Sequence, residues 1–254
     1  MSAKKNHLTL IELDEVESTN NYAMGWIHGK ALPKGHKRLT NGMAVLAYHQ
    51  TVGKGQRGKS WQSPRGESMS LSIVLMPDFL NTAQGFSLLC AVAVAATQVL
   101  QSYTGNEMKI KWPNDLYWHN RKLGGILIEN VVKGNQFNWA VAGIGVNVLQ
   151  KQFPEFLENP VSIKQISGKD EEIKVIAQQL QAAIVDAMER LRDDPMCFFE
   201  PYNWLLFCKD EKVKLKQGSR VFETIIKGVN TQGELITGVD GLTTFQFGEV
   251  EWRI

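Results

Sequence analysis

Two apolar runs separated by a short turn decide the fold: LGGILIENVV at residues 123–132 and FNWAVAGIGV at residues 137–146. Both are rich in the β-branched, aromatic and other apolar residues that strands favour. The turn between them contains Lys133-Gly134-Asn135, and glycine and asparagine are common in the tight loops of β-hairpins. The sequence therefore predicts two adjacent strands joined as a hairpin.

The segments around this hairpin alternate between helix and strand patterns. Residues 82–103 are rich in alanine and leucine and predict a long helix. They lie in an uncharged stretch, but the longest unbroken apolar run, residues 88–96, is well short of the ~20 residues that cross a bilayer. We therefore expect a buried helix and not a membrane span. The other predicted elements are a strand at residues 8–11, a helix capped within residues 18–20, strands at residues 43–49, 69–76 and 108–112, and an amphipathic helix at residues 171–192.

The last part of the chain has a different pattern. From Lys209 onward, short β-rich pieces alternate with turns at Gln217-Gly218, Gln232-Gly233 and Asp240-Gly241. Such closely spaced strands are typical of a small barrel or meander. We therefore predict two domains, one at residues 1–207 and a small barrel at residues 208–254.

Composition and charge exclude several classes of protein. The chain has 254 residues, 43% of them hydrophobic and 21% charged, which is typical of a soluble globular protein. Its formal charge of +2 is too small for a broad surface that binds polyanions. Its three cysteines, Cys90, Cys197 and Cys208, form no CxxC pair, so neither a disulfide framework nor a cysteine zinc site is indicated. We expect a reducing compartment, the cytoplasm.

A glycine-rich basic loop, GKGQRGKSW at residues 53–61, gives the strongest sign of a ligand. Its glycines let the backbone approach a ligand closely and direct N–H groups towards it. Lys54, Arg57, Lys59 and Arg65 add four positive charges with no acid among them. This combination fits a phosphate group, although a solvated surface loop fits the pattern about as well. The nearby Trp61 favours a loop that closes over something.

A second candidate segment is Lys111-Trp112-Pro113-Asn114-Asp115, with Lys122 shortly after it. Asp115 is expected in a turn after a strand, where a carboxylate can face a ligand. Lys122 enters a strand whose Gly124 and Gly125 leave room for one. Ordinary turn chemistry for Asn114-Asp115 and an ordinary surface lysine are the alternatives.

Two more segments place hydrogen-bonding side chains near glycines or a helix start. Gly143-Ile144-Gly145-Val146-Asn147 ends a buried strand, and an amide such as Asn147 can pair with a purine edge. A β-bulge followed by a turn asparagine explains it equally well. Ser18-Thr19-Asn20 has more polar groups than one helix cap needs, so the surplus could bind a neutral polar ligand, although capping alone is at least as good an explanation. Gln50, at the end of the strand that leads to the basic loop, is expected in the same pocket.

Together these segments resemble the biotin protein ligases. The residues that carry the resemblance stand in the family's order and cover nearly the whole chain: Ser18-Thr19-Asn20 and the ranges 53–61, 111–115, 121–127 and 143–147. The resemblance implies an α+β fold. Its parts are a mixed-sheet catalytic domain, similar to those of class II aminoacyl-tRNA synthetases, and a C-terminal SH3-like β-barrel.

The resemblance also implies a two-step reaction. Biotin and ATP form biotinyl-5′-AMP and pyrophosphate, and a lysine of a biotin carboxyl carrier domain then takes the biotinyl group. The carboxylate of biotin is itself the nucleophile, so the protein needs no nucleophilic serine or cysteine. Mg²⁺ is expected with ATP because it neutralises the triphosphate and helps pyrophosphate to leave.

The same resemblance assigns roles to residues. Lys122 is expected to contact both the biotin carboxyl group and the adenylate phosphate. Asp115 is the expected catalytic carboxylate, as proton acceptor, as positioner of the acceptor lysine or as magnesium ligand, and Arg57 joins these two as catalytic. The biotin-binding set is Ser18, Thr19, Asn20, Gln50, Lys54, Gly55, Gln56, Trp61, Lys122 and Gly124. The set for ATP and the adenylate is Lys54, Arg57, Lys59, Trp61, Lys111, Asn114, Lys122, Asn147 and Trp204.

Two departures from the family pattern stand out. Gln56 occupies a position where many members have arginine, so either Arg57 or backbone N–H groups must supply the missing interaction. The chain also begins close to its first strand, with no room for the winged helix-turn-helix of some members, so we expect a ligase that does not bind DNA. We expect no membrane partner either. The oligomeric state stays open between a monomer and a homodimer.

Two other functions compete with this interpretation. A lipoate–protein ligase or octanoyltransferase shares the fold, but its Arg-Arg-x-Ser-Gly-Gly-Gly motif is absent. A nucleic-acid-binding module, with residues 53–65 as a basic arm and the barrel as a platform, belongs to a different class, and the small net charge argues against it.

Overall fold

A seven-stranded sheet forms the centre of the computed structural model, which describes residues 8–62, 64–239 and 241–253. Its strands are β1 (Leu10–Leu13), β2 (Ala44–Ala47), β3 (Ser68–Leu75), β4 (Met108–Lys111), β5 (Asp115–Trp118), β6 (Arg121–Lys133) and β7 (Gln136–Asn147). They lie in the order β1-β2-β3-β7-β6-β5-β4. β1 and β2 are parallel and the other neighbours are antiparallel, which confirms the predicted mixed sheet.

The predicted hairpin lies in the middle of this sheet. Lys133 pairs with Gln136 at the turn, and β7 pairs with β6 on one side and β3 on the other. Because side chains alternate between the two faces of a strand, β7 contributes to both apolar layers. Val141 faces one layer, while Ala140 and Ala142 face the other.

Helices cover both faces of the sheet. They are α1 (Thr19–Ile27), α2 (Gly85–Thr104), α3 (Ile163–Ser167), α4 (Ile173–Asp193) and α5 (Phe199–Trp204). α1 buries Ala23 and Trp26 with Val45, Val74 and Val141 on one face. The larger apolar layer, with α2 and α4, covers the other face.

The long apolar helix is a core element, as the sequence predicts. Residues Thr82–Thr104 have the length and composition of a membrane span, but 56% of an apolar 18-residue segment within them is buried inside the protein. α2 packs against α4, β4 and α5. Its alanines and valines allow this close packing because they are small and carry no polar group.

A second, five-stranded antiparallel sheet forms the C-terminal SH3-like barrel. Its strands are β8 (Lys212–Gln217), β9 (Arg220–Val229), β10 (Leu235–Thr237), β11 (Thr243–Phe245) and β12 (Glu251–Arg253). The order is β11-β10-β9-β8-β12. The predicted turn at Asp240-Gly241 includes a residue outside the described ranges, and so does the end of the predicted barrel range at Ile254.

Two features differ from the sequence-based expectation. The turn between β4 and β5 is complete at Asn114, so Asp115 begins β5 opposite Lys111 and does not lie in the turn. α3 and α5, of five and six residues, were not predicted. Helices of one or two turns carry too little periodic pattern to be recognised.

Candidate active site

A cavity of about 490 Å³ lies between the two sheets. Its walls come from the start of α1, the basic loop, strands β3 to β7 and residues 247–253 of the barrel. Most of the predicted site residues line it: Ser18, Thr19, Asn20, Gln50, Lys54, Gly55, Gln56, Arg57, Lys59, Trp61, Lys111, Asn114, Asp115 and Lys122. Segments that are distant in sequence therefore meet in one place.

The start of α1 forms a polar pocket at one end of this cavity. Ser18 caps the helix, because its Oγ accepts a hydrogen bond from the Asn21 N–H at 3.4 Å. Thr19 and Asn20 are buried and point into the fold. Gln50 Oε1 accepts hydrogen bonds from the Thr19 N–H at 2.8 Å and the Thr19 hydroxyl at 3.0 Å. The polar side chains of this segment thus do more than cap the helix, because Thr19 also forms hydrogen bonds with Gln50.

Two glycines of β7 make room for side chains of this pocket. A Cβ atom on Gly143 would lie 2.3 Å from Asn20 Oδ1. A Cβ atom on Gly145 would lie 2.7 Å from the Trp61 ring. In the structure, these glycines allow a flat amide and a flat indole to lie directly on the strand, which is a reason for them that the sequence did not reveal.

The basic loop lies over the cavity and contacts the barrel. Its two ends are held together by a hydrogen bond from the Trp61 N–H to the Gly53 carbonyl at 2.9 Å. Arg57, at φ 55°, occupies the left-handed region, and its Nη1 donates to the Gly248 carbonyl at 3.0 Å. The same guanidinium lies 5.1 Å from the centre of the Phe247 ring. Arg57 therefore links the loop to the C-terminal barrel.

Lys122 and Asp115 form an ion pair in the cavity wall. Lys122 Nζ lies 2.7 Å from Asp115 Oδ1, and the two side chains are 34% and 28% exposed. Gly125 faces Asp115 across the β5–β6 pair, where a Cβ atom would lie 3.3 Å from the same Oδ1. The pair therefore presents a cation and a carboxylate side by side, both open to a ligand.

Lys111 is the most perturbed cation of the site. Burial lowers the pKa of its ammonium from 10.5 to about 8, although the nearby Asp115 carboxylate opposes the change. Its Nζ donates to the Tyr117 hydroxyl at 3.1 Å and lies 5.6 Å from the centre of the Trp252 ring. A bound anion would strengthen the charged form of this lysine.

Three predicted site residues do not line the cavity. Gly124 packs against the Gly145 carbonyl, and Trp204 is 67% exposed at the end of α5. Asn147 donates to the Val161 carbonyl at 3.1 Å and accepts from Gln150 at 3.2 Å, so its amide is used within the fold.

Several lining residues were not identified from the sequence. Trp112 is buried in the cavity wall, where its Nε1 donates to the Gly233 carbonyl at 2.9 Å. Because Trp112 lies within the Lys111–Asp115 motif, it could have been identified from the sequence. Glu158, Phe247, Trp252 and Arg253 also line the cavity. They carry no local motif, because only the docking of the barrel brings the last three to the site.

Within the described ranges, no group of three or more His, Cys, Asp or Glu side chains is placed to hold a metal ion. Cys90, Cys197 and Cys208 are free thiols.

Comparisons with known proteins agree with this geometry. A family model described as the Biotin/lipoate A/B protein ligase family matches residues 30–147. The bifunctional ligase/repressor BirA of Salmonella typhimurium is 29% identical over 244 residues, covering 95% of this chain and 73% of that protein. The biotin–[acetyl-CoA-carboxylase] ligase of Paracoccus denitrificans is 35% identical over 112 residues, covering 43% of this chain and 46% of that protein.

A solved structure extends the likeness to both sheets. The biotin protein ligase from Aquifex aeolicus, in complex with biotin and ATP, superposes with a TM-score of 0.78 and 25% identity, covering 96% of this chain and 98% of that one. By sequence and by fold, the chain is similar to the biotin protein ligases. Its likeness to the family includes the C-terminal barrel, which the family model, ending at residue 147, does not reach.

Proposed function

We propose that this protein is an ATP-dependent biotin–protein ligase. It activates biotin with ATP to biotinyl-5′-AMP, releases pyrophosphate, and transfers the biotinyl group to a lysine of a biotin carboxyl carrier domain. The observation that carries the proposal is one cavity that holds a neutral polar pocket, the Lys122–Asp115 pair and a basic glycine loop. These suit the head of biotin, its reacting carboxylate and the phosphates of ATP respectively.

In the first step, the protein positions two reactants and stabilises negative charge. The ureido head of biotin binds Ser18, Thr19, Asn20 and Gln50. Lys122 holds the biotin carboxylate against the α-phosphate and balances the charge that develops there. Lys54, Arg57 and Lys59 of the basic loop hold the phosphates. Lys111 adds a further cation, and a bound phosphate would stabilise its charged form.

In the second step, the amine of the acceptor lysine attacks the adenylate carbonyl and AMP leaves. The acceptor must first lose a proton, because its unperturbed pKa is ~10.4. Asp115 is the carboxylate nearest to Lys122, so it can accept that proton or hold the incoming ammonium in place. AMP formation separates the phosphate from Lys122 and frees the site.

Magnesium fits this cavity as a partner of ATP. Mg²⁺ usually binds through one or two carboxylates together with substrate phosphates and water. Asp115 and Glu158 both line the cavity and would supply the carboxylates. When bound, the ion neutralises the triphosphate and assists the departure of pyrophosphate.

The adenine contacts of Asn147 and Trp204, and the adenylate contact of Asn114, stay predictions from the family resemblance. To contact adenine, Asn147 would have to break its hydrogen bonds within the fold. Trp204 would have to leave its exposed position outside the cavity. Trp112 and Phe247 are aromatic side chains that already line the cavity. We include them in the proposed adenylate site.

Partners and location follow from the same proposal. The macromolecular partner is a carrier domain of a biotin-dependent carboxylase, and the compartment is the cytoplasm, where free thiols are stable. The near balance of 28 basic and 26 acidic residues supports neither DNA nor a membrane as partner. We retain the domain boundary near residue 208, which falls between α5 and β8.

One experiment tests this function directly. The protein is incubated with biotin, ATP, Mg²⁺ and a carrier domain, and the carrier is weighed by mass spectrometry. We expect the mass to increase by one biotinyl group. Pyrophosphate exchange with biotin and with lipoate is compared in parallel, and exchange with lipoate alone would refute the proposal.

A further inference from the structure

One carboxylate behind the polar pocket joins three parts of the protein. Glu129 lies on β6 and is not itself part of the cavity lining. Its Oε2 accepts a hydrogen bond from Asn20 Nδ2 at 2.8 Å. Its Oε1 lies 3.7 Å from Lys54 Nζ. Glu129 therefore contacts both α1 and the basic loop from the sheet.

The carboxylate fixes which way the Asn20 amide points. A carboxylate paired with a lysine only accepts hydrogen bonds, so the amide nitrogen must face Glu129. The Leu127 carbonyl, 3.3 Å from the same nitrogen, favours this orientation as a second acceptor. Asn20 Oδ1 then faces Ser72, whose hydroxyl donates to it at 2.6 Å.

This orientation passes on to Thr19 and Gln50. Because Ser72 has used its single hydrogen on Asn20, the Thr19 hydroxyl donates in their contact, and its hydrogen is shared between Ser72 Oγ at 2.8 Å and Gln50 Oε1 at 3.0 Å. Gln50 Oε1 accepts from the Thr19 N–H and hydroxyl, which turns its oxygen towards α1. The Nε2 group of Gln50 and the hydroxyl hydrogen of Ser18, whose oxygen is used in the helix cap, remain as donors for a ligand.

We propose that Glu129 is a positioning residue that sets the hydrogen-bond polarity of the biotin pocket. The proposal rests on the proposed function, because it takes the occupant to be the ureido head, whose carbonyl oxygen needs donors. Gly143 supports it independently, since it keeps open the space that the oriented Asn20 amide fills. The Lys54 contact is long and its partners are 41% and 31% exposed, so the hydrogen bond to Asn20 is the more important interaction.

Steady-state pyrophosphate exchange with Glu129→Ala, Glu129→Met and Glu129→Gln tests this role. We expect Glu129→Ala and Glu129→Met to raise the KM for biotin about tenfold, the cost of losing one hydrogen bond to a charged group. The KM for ATP should stay within about twofold, because the contact of Glu129 with the phosphate-binding Lys54 is long and exposed and contributes little. Glu129→Gln keeps an acceptor oxygen for Asn20 and should restore the KM for biotin to within about threefold of wild type.

Further variants distinguish this positioning role from a general loss of structure. Glu129→Met retains side-chain length and packing if Glu129→Ala does not fold. Glu15→Ala, which removes a surface ion pair with Arg65 at 3.2 Å, is the matched control and should leave both KM values unchanged. In Asn20→Ala/Glu129→Ala, the two effects on the KM for biotin should not add, because both act through one hydrogen bond.

Three outcomes would overturn the inference. An unchanged KM for biotin in Glu129→Met would show that the pocket does not depend on Glu129. Equal impairment in Glu129→Gln and Glu129→Ala would assign the effect to the charge on Lys54, and equal rises in both KM values would indicate a structural role. Wild-type protein without biotin-dependent exchange would refute the proposed function and this inference together, whereas active wild type with unaffected variants refutes the inference alone.

Discussion

The two walls of the cavity are held in different ways. On the sheet side, Thr19 and Asn20 are each 4% exposed, and hydrogen bonds tie them to β3, β6 and Gln50. On the opposite side, the basic loop meets the barrel through Arg57, which makes one hydrogen bond and packs on Phe247, a ring that is 42% exposed. The first wall is rigid before any ligand arrives, and the second rests on few contacts.

This difference suggests a division of work. A preformed pocket loses little entropy on binding and can discriminate by the direction of its hydrogen bonds. A loosely held cover gains order from the ligand and can open again to admit the carrier lysine. Changes in the first wall should therefore affect recognition of biotin, and changes in the second should affect retention of the adenylate.

The largest effect is expected at Lys122, which lies on β6 and lines the cavity. Lys122→Ala removes the cation that faces the reacting groups and leaves Asp115 unpaired. We expect biotin-dependent pyrophosphate exchange to fall by about 10³-fold, at the upper end of the cost of losing one electrostatic contact to a transition state. Lys133→Ala, at the exposed far end of the same strand, is the control. Near-normal exchange in folded Lys122→Ala would refute the assigned role.

The next effect tests the rigid wall. Gly143→Ala places a methyl group 2.3 Å from Asn20 Oδ1, and the sheet cannot move to accommodate it. We expect the KM for biotin to rise about thirtyfold, corresponding to about 2 kcal/mol of overpacking and lost hydrogen bonding. Gly241→Ala, where a Cβ atom meets nothing within 4 Å, serves as the control. An unaltered KM would mean that Asn20 is free to move.

A change in the basic loop, which covers the cavity, should affect retention of the adenylate and not recognition of biotin. Arg57→Ala removes the contacts to Gly248 and Phe247, so the loop and the barrel separate more easily. We expect biotinyl-5′-AMP to leave the protein about tenfold faster in a chase experiment without carrier, consistent with the loss of about 1.4 kcal/mol. Arg65→Ala, which breaks only the surface pair with Glu15, is the comparison. Unchanged retention would transfer the role to Lys54 or Lys59.

The smallest effect concerns pH and Lys111. Its pKa is lowered to about 8 by burial, so the free protein loses this positive charge as the pH rises through that value. Affinity for the ATP phosphates should therefore weaken with increasing pH, by about threefold between pH 7.5 and 8.5. Lys111→Arg keeps its charge throughout this window and should remove the dependence. A pH profile identical in both proteins would exclude Lys111 from phosphate binding.

Patterns contained within one element were predictable from the sequence. The β6–β7 hairpin follows from two apolar runs and a glycine turn, and the buried α2 follows from an uncharged stretch too short and too interrupted to span a bilayer. The short α3 and α5 were missed, because one or two helical turns stabilised by tertiary packing leave no periodic signal.

The site was predictable only in part, for a similar reason. Lys122, Asp115 and the basic loop stand in motifs, so their residue types alone indicated chemistry. Glu129 acts through a hydrogen bond to a residue more than a hundred positions away in the chain, and no local pattern marks it. The direction of the Asn147 side chain was equally inaccessible, since its partner Val161 follows a long irregular segment.

The cavity is lined by Ser18 near the start of the described chain and by Arg253 at its last described residue. During synthesis, the polar pocket and the Lys122 strand leave the ribosome well before β12 does. Until residues 247–253 have been added, the cavity lacks Phe247, Trp252 and Arg253 from its lining. Competence to retain the reactive adenylate should appear abruptly, when translation of the barrel is finished.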